Sequence, residues 1–343
     1  MPAPETSPPP LVHADPRCWV LTDGKAGMEN QCLGLAEAVG CTPVVKRVTL
    51  RGPWRRFSPY LPVALPLALA LGSDPLAPPW PDLLITSGRQ SVGPALAIRR
   101  AAAKRGGGKA GGGDSRPFWV HIQNPGIPAR LVDLIVLPRH DGRPPGGNVL
   151  TTTGALHRVT PARLAESAAR FAPALAHLPR PRVAVLIGGS NGVYDLTAAV
   201  TRDLAAKLAA LARDRGVGLM VTPSRRTGAE NEAILRDALA GLPAVVWDGT
   251  GENPYFGYLG LADAVIATCD SVSMISEAIS TGKPVHVIEL AGGSAKFRRF
   301  QEMLYADGTA RPFTGALEHW ACSPPDDTAR VAAVVRERMA AGR

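Results

Sequence analysis

The chain has 343 residues, 45% of them hydrophobic and 20% charged, which supplies a full core and excludes a chain disordered throughout. A formal charge of +9 predicts attraction to polyanions: nucleic acid, anionic lipid or phosphorylated small molecules. Aromatics are only 5% and no recognised nucleic-acid module is visible, so nucleic acid is the unlikely partner among these.

At roughly 100 to 200 residues per domain, the length fits two domains. Residues 1–15, proline-rich and carrying Glu5, read as a flexible tail and not as a signal peptide. Short apolar runs then predict strands over 18–21, 44–48, 83–85, 118–122 and 134–137, with helices over 29–39 and 92–104. The runs are continuous, not alternating, which points to parallel sheet covered on both faces. The run YLPVALPLALAL at 60–71 follows Arg51, Trp54, Arg55, Arg56 and Phe57. It is too short, and too broken by Pro62 and Pro66, to cross a hydrocarbon layer of roughly 30 Å. A buried core helix is the expectation; an interfacial seat on lipid phosphates is the alternative. The glycine-rich stretch 105–116 reads as a surface spacer.

A second α/β rhythm predicts strands over 183–187, 218–221, 245–247, 264–267 and 285–288, with helices over 196–213, 229–239 and 271–280. The expected division is a first domain over 16–160, a helical bridge over 161–180, a second domain over 181–325 and a closing helix over 326–343. Five scattered cysteines, Cys18, Cys32, Cys41, Cys269 and Cys322, show no CxxC or zinc spacing, which fits a reduced cytoplasm.

Candidate ligand residues sit where strands end, the position at which open α/β sheets bind ligands. Asp270, Ser271 and Ser273 crowd a helix start, with Met274 in its first turn; such a start aims backbone N–H groups and hydroxyls at one spot and suits a phosphate. Capping alone is the other reading. Glu277, about one turn beyond Ser273, could accept hydrogen bonds from two ribose hydroxyls or be a solvated charge. Gly188, Gly189, Ser190 and Asn191 follow one strand, and Ser224, Arg225 and Arg226 follow another; glycines admit a close ligand and guanidinium groups match a diphosphate. A tight turn and a solvated basic loop are the alternatives for these two loops.

In the first half, Asp23, Gly24, Lys25 and Gly27 follow a strand and open a helix carrying Gln31. Ser87, Arg89 and Gln90 repeat that pattern, and His121 and Asn124 flank the end of the next strand. The P-loop and G-x-G-x-x-G patterns are missing, which disfavours an ATPase or a dinucleotide enzyme. With no H-E-x-x-H, EF-hand, G-x-S-x-G or D-x-D pattern either, nothing in the sequence requires a metal or a cofactor.

The chain resembles the family named after the plant elongated-mitochondria (mitochondrial fission) protein. TDGKAGMENQ at 22–31, SGRQS at 87–91, HIQNP at 121–125, IGGSNG at 187–192, TPSRRTG at 222–228, NPYFGYLGLAD at 253–263 and TCDSVSM at 268–274 carry the resemblance over nearly the whole chain. That family is similar to B-type glycosyltransferases (GT-B), which implies α/β architecture with two Rossmann-like domains and a cleft between them. The resemblance also implies that Ser271 and Ser273 face a donor diphosphate, Glu277 the ribose, and Gly189, Ser190 and Arg225 the phosphates or sugar.

The function expected is metal-independent transfer from a nucleotide-diphosphate sugar to an unknown acceptor, lipid-linked acceptors included. Asp23 is the first candidate base and His121 the second. The runner-up is a non-catalytic scaffold that binds a nucleotide sugar or an anionic membrane surface. The expected location is cytoplasmic, with peripheral attachment at the inner face of the membrane left open.

Overall fold

The computed structural model describes residues 16–65, 67–106 and 116–342; the expected tail over 1–15 and most of the glycine-rich stretch fall outside them. The protein is α/β. In chain order the first elements are β1 (Cys18–Thr22), α1 (Ala26–Val39), β2 (Pro43–Arg47), α2 (Gly52–Phe57), β3 (Leu83–Ser87), α3 (Arg89–Gly106), β4 (Phe118–Ile122), β5 (Leu134–Pro138) and β6 (Val149–Thr152). There follow α4 (Pro161–Phe171), β7 (Arg182–Ile187), β8 (Tyr194–Asp195), α5 (Ala198–Arg215), β9 (Gly218–Pro223), α6 (Ala229–Leu239) and β10 (Ala244–Val246). The chain then forms α7 (Tyr255–Leu261), β11 (Ala264–Thr268), α8 (Val272–Ile279), β12 (Val285–Ile288), β13 (Ala291–Gly292), α9 (Ala295–Ala306), β14 (Arg311–Pro312) and α10 (Asp327–Ala340).

Two six-stranded sheets result, ordered β2-β1-β3-β4-β5-β6 and β10-β9-β7-β11-β12-β14. Pairing is parallel from β2 through β4 in the first sheet and across the whole of the second. Parallel strands covered on both faces should be apolar throughout, and β1, β3, β4, β9, β11 and β12 are buried along their whole length. The edge strands β2 and β10 are only partly buried. Two compact units divide the chain: one runs to Ile135 and regains the residues from Ala332 on, and the other is Val136–Val331.

Local chemistry sets the helix ends. Thr160 caps α4 by accepting the Arg163 N–H at 3.2 Å, and Pro161 occupies the first turn, where its missing N–H costs nothing. Gly40 ends α1 in the left-handed region, at φ 94°, where its N–H and that of Cys41 take the last helical carbonyls. The second unit's core gathers Leu186, Leu208, Met220, Ile266, Ile275 and Phe300 around its sheet. Each such side chain contributes on the order of 1.5–3 kcal/mol of burial.

One expectation fails. The described residues of 60–71 form no core helix; the chain turns, and Leu69 makes an isolated bridge to Leu50. Pro62 has no N–H for a helical ladder, and its carbonyl accepts the Trp54 indole N–H at 2.9 Å. Ala68 and Leu69 are buried, while Leu67 and Leu71 face solvent at 68% and 94% exposure.

Candidate functional site

In the second unit the predicted loop residues at the carboxyl ends of β7, β9 and β11 are joined through one carboxylate. The Asp270 side chain is fully buried. It pairs with Arg226 Nη2 at 2.6 Å and accepts the Gly189 N–H at 3.1 Å and the Thr268 hydroxyl at 2.6 Å. Thr268 Oγ1 in turn accepts the Gly188 N–H at 2.8 Å. The glycines are required by contact: a Cβ at Gly188 would lie 2.1 Å from an Asp270 oxygen, and one at Gly189 would lie 1.9 Å from the Arg226 carbonyl oxygen.

Several predicted ligand residues are therefore staples of the loops. Ser224 donates to the Gly188 carbonyl at 2.7 Å, and Thr227 donates to the same oxygen at 2.6 Å. Ser190 donates to Asp195 and accepts the Leu196 N–H; Asn191 receives the Val193 and Tyr194 N–H groups and donates to the Asp270 carbonyl. Arg226 also reaches the Gly189 carbonyl at 3.3 Å. Arg225 is exposed, and its side chain makes no hydrogen bond or ion pair with the described residues.

Just past Asp270, Ser271 caps α8 by accepting the Met274 N–H at 3.3 Å. Met274 itself is buried and packs into the core. The N–H groups of Val272 and Ser273 fall in the first turn, where no helical carbonyl can take them, and the Ser273 hydroxyl is likewise uncommitted. One turn further, Glu277 accepts the Tyr255 hydroxyl at 2.6 Å. Burial pushes the Glu277 carboxyl up to about 7, opposed by the tyrosine hydrogen bond, and pushes the Tyr255 phenol well above its usual range.

Tyr255 is held there by the seat of α7 on α4. A Cβ at Gly260 would lie 2.5 Å from the Leu164 carbonyl oxygen, and one at Gly257 would meet the Phe171 ring at 2.6 Å. Lys283 Nζ closes α7 by donating to the Leu259 and Gly260 carbonyls at 2.6 and 2.9 Å. Burial lowers that ammonium to about 8. Sequence reasoning assigned no role to Tyr255 or Thr268; a tyrosine at the start of a glycine-bearing segment carries no periodic signal.

In the first unit, Asp23, Lys25 and Gln90 meet at the ends of β1 and β3. Asp23 Oδ2 takes Lys25 Nζ at 2.9 Å and Gln90 Nε2 at 3.4 Å, and the carboxylate keeps 7% exposure. Gly24, at φ 82°, gives its N–H to Thr22 Oγ1 at 3.2 Å and makes the turn in the left-handed region. Gln31 is turned inward, donating to the Gly27 carbonyl at 3.2 Å, so it serves the helix. Ser87 is buried with its Oγ unpartnered, Arg89 is exposed and reaches the Arg55 carbonyl at 3.5 Å, and Asn124 accepts the Gly126 N–H in a local turn.

His121 lies inside the sheet with no solvent exposure, its Nδ1 2.7 Å from Thr86 Oγ1, and burial lowers its basicity to about 3. A residue so placed cannot touch an acceptor. Gln123 beside it has φ 81°, a backbone state that costs a non-glycine residue energy. Among the described residues no group of three or more His, Cys, Asp or Glu side chains gathers in a way that could hold a metal ion. No described helix is long and apolar enough to cross a membrane.

A family model described as "Mitochondrial fission ELM1" matches residues 26–339. The chain is 30% identical over 406 aligned positions to "Mitochondrial fission protein ELM1" of Arabidopsis thaliana, covering 95% of this chain and 91% of that protein. Among solved structures, a putative UDP-N-acetylglucosamine 2-epimerase from Listeria monocytogenes aligns over 95% of this chain and 97% of its own at 12% identity, with a TM-score of 0.50. MurG of Acinetobacter baumannii aligns over 95% and 93% at 13% identity, with a TM-score of 0.46. The fold is thus of the GT-B-like class, with two Rossmann-like sheets.

Proposed function

The chain belongs to the mitochondrial fission ELM1 family, and from that premise we propose that it is a glycosyltransferase using a nucleotide-diphosphate sugar donor held by its second unit. The observation that carries this reading is the start of α8. The open N–H groups there, the Ser273 hydroxyl and the uncommitted Arg225 guanidinium offer positive charge and donors to a diphosphate. The Arg226–Asp270 pair ties the Arg225 loop to the residue preceding the α8 cap. Glu277, one turn on, takes two ribose hydroxyls in place of the Tyr255 hydroxyl. The solved structure of TM-score 0.50 bears a name that gives its substrate as a UDP-sugar, which makes UDP the first nucleotide to test.

In the reaction proposed, the acceptor hydroxyl oxygen bonds to the anomeric carbon of the donor sugar as the bond from that carbon to the diphosphate oxygen breaks. The nucleotide diphosphate leaves with the electron pair, stabilised by Arg225 and the α8 start without help from a metal. The acceptor proton passes to Asp23, whose carboxylate Lys25 and Gln90 orient. Lipid-linked acceptors are included among those to test, and with one of them the reaction takes place at the inner face of a membrane.

Release of nucleotide diphosphate from a panel of nucleotide sugars, in EDTA and with a membrane extract as acceptor source, tests this. Turnover that Asp23→Asn abolishes while donor binding persists is the expected result. Donor binding without any turnover by the intact protein would replace the transferase with a nucleotide-sugar-binding scaffold.

A further inference from the structure

The first unit holds a cavity of about 760 Å³ that shares no lining residue with the strand-end loops. That volume is within the range of small-molecule sites, roughly 300–1,000 Å³. Its walls are apolar: Val63, Leu65, Leu69 and Leu76 from the turning segment, and Ala97 and Ala101 from successive turns of α3, whose short side chains leave the space open. Trp80 completes the wall, packed edge-on against Trp19, and its indole N–H is buried without an acceptor.

Charge frames this apolar interior. Arg51, Arg100 and Lys104 line the cavity, are exposed, and form no ion pair among the described residues. The acid among the lining residues, Asp74, is already engaged by the Arg47 N–H at 2.7 Å. Exposed apolar side chains crowd the same stretch: Tyr60 at 76%, Leu67 at 68% and Leu71 at 94%, with Leu71 itself part of the wall. Apolar exposure of this density, rimmed by unpaired cations, marks an interaction surface. A nucleotide would leave its polar edges unpaired against leucine and alanine, and a peptide would bury backbone groups against apolar walls.

We propose that this cavity takes an acyl chain of an anionic membrane phospholipid, with the headgroup phosphate on Arg51, Arg100 and Lys104 and with Leu67 and Leu71 entering the interface. This seat rests on the membrane placement proposed above and is independent of sugar transfer.

The test is co-sedimentation of the full chain, without nucleotide, with vesicles of phosphatidylcholine and of phosphatidylcholine mixed with phosphatidylglycerol. Binding to the anionic vesicles and little to the neutral ones is expected. Arg100→Ala with Lys104→Ala should weaken it about tenfold, at a few-fold per basic residue. Leu71→Glu, at an exposed position, and Ala101→Phe, which fills the cavity, should each lower it strongly. Unchanged circular dichroism and unchanged affinity for the donor nucleotide would show that each variant is folded, and they separate failure here from failure of the donor site. Equal sedimentation of the charge and cavity variants with the intact protein, or no sedimentation with either vesicle, overturns the proposal. Capture of a soluble isoprenyl phosphate with no vesicle binding overturns the membrane source as well.

Discussion

Asp270 and Asp23 each follow the end of a parallel strand, β11 in the second unit and β1 in the first, and their settings differ. Asp270 is sealed from solvent and shared among a guanidinium, a hydroxyl and a backbone N–H. Asp23 is held chiefly by a lysine whose side chain is 66% exposed and by a longer contact to Gln90. A carboxylate with such partners fixes the loops around it, whereas Asp23, itself only 7% exposed, is paired with a lysine that reaches solvent. Adjacent residues follow the same division, since Arg226 is spent on Asp270 while Arg225 is left over.

The largest effect expected is that of Asp270→Ala. It leaves the buried Thr268 hydroxyl and Gly189 N–H without their acceptor and frees the half-exposed Arg226, at about 1–3 kcal/mol for each buried group left unpaired, read as a shift in the urea unfolding midpoint. Gly189→Ala should cost about 1–3 kcal/mol in the same experiment, because the new Cβ must displace the Arg226 backbone.

Glu277 gives a pH dependence of defined sign. Its folded value, raised from 4.5 to about 7, means that the folded state holds the proton more tightly than the unfolded state does. Its contribution is therefore most favourable below the unfolded value and is lost as pH rises through about 7. Glu277→Gln should remove that decline, gaining on the order of 1–3 kcal/mol over the intact protein by pH 8 in unfolding curves. Ribose hydroxyls need the carboxylate as acceptor, so nucleotide affinity should run the other way and rise with pH through the same interval. The smallest effect belongs to Asp23→Asn, below about 1 kcal/mol in stability, since its ion-pair partner is exposed. An Asp23 variant that unfolds as readily as the Asp270 variant would erase the contrast between the two loops.

Much of the sheet was legible because buried parallel strands write themselves as unbroken apolar runs: 118–122 and 285–288 coincide with β4 and β12, and the helix expected over 229–239 is α6. The helix α9 was equally open to reading, with its Ser294 cap and Phe297, Phe300 and Leu304 at helical spacing, yet it went unassigned. By contrast, α7 defies propensity: Gly257 and Gly260 are poor helix formers, kept because α4 packs against them. At the site, residue type and position after a strand located the right loops. They could not tell Arg225 from Arg226, or Asp270 the staple from Ser273 the open hydroxyl, because partners and burial exist only in the folded chain.

The most direct measurement is calorimetric titration of UDP, in EDTA, into the intact protein and into Arg225→Ala and Glu277→Ala. Binding that survives EDTA and weakens about tenfold or more in each variant, as expected for lost charge-assisted hydrogen bonds, with unfolding of Arg225→Ala unchanged, is the result predicted. Equal affinity in all three proteins, or no heat from UDP or any other nucleoside diphosphate, would contradict a donor site at the start of α8.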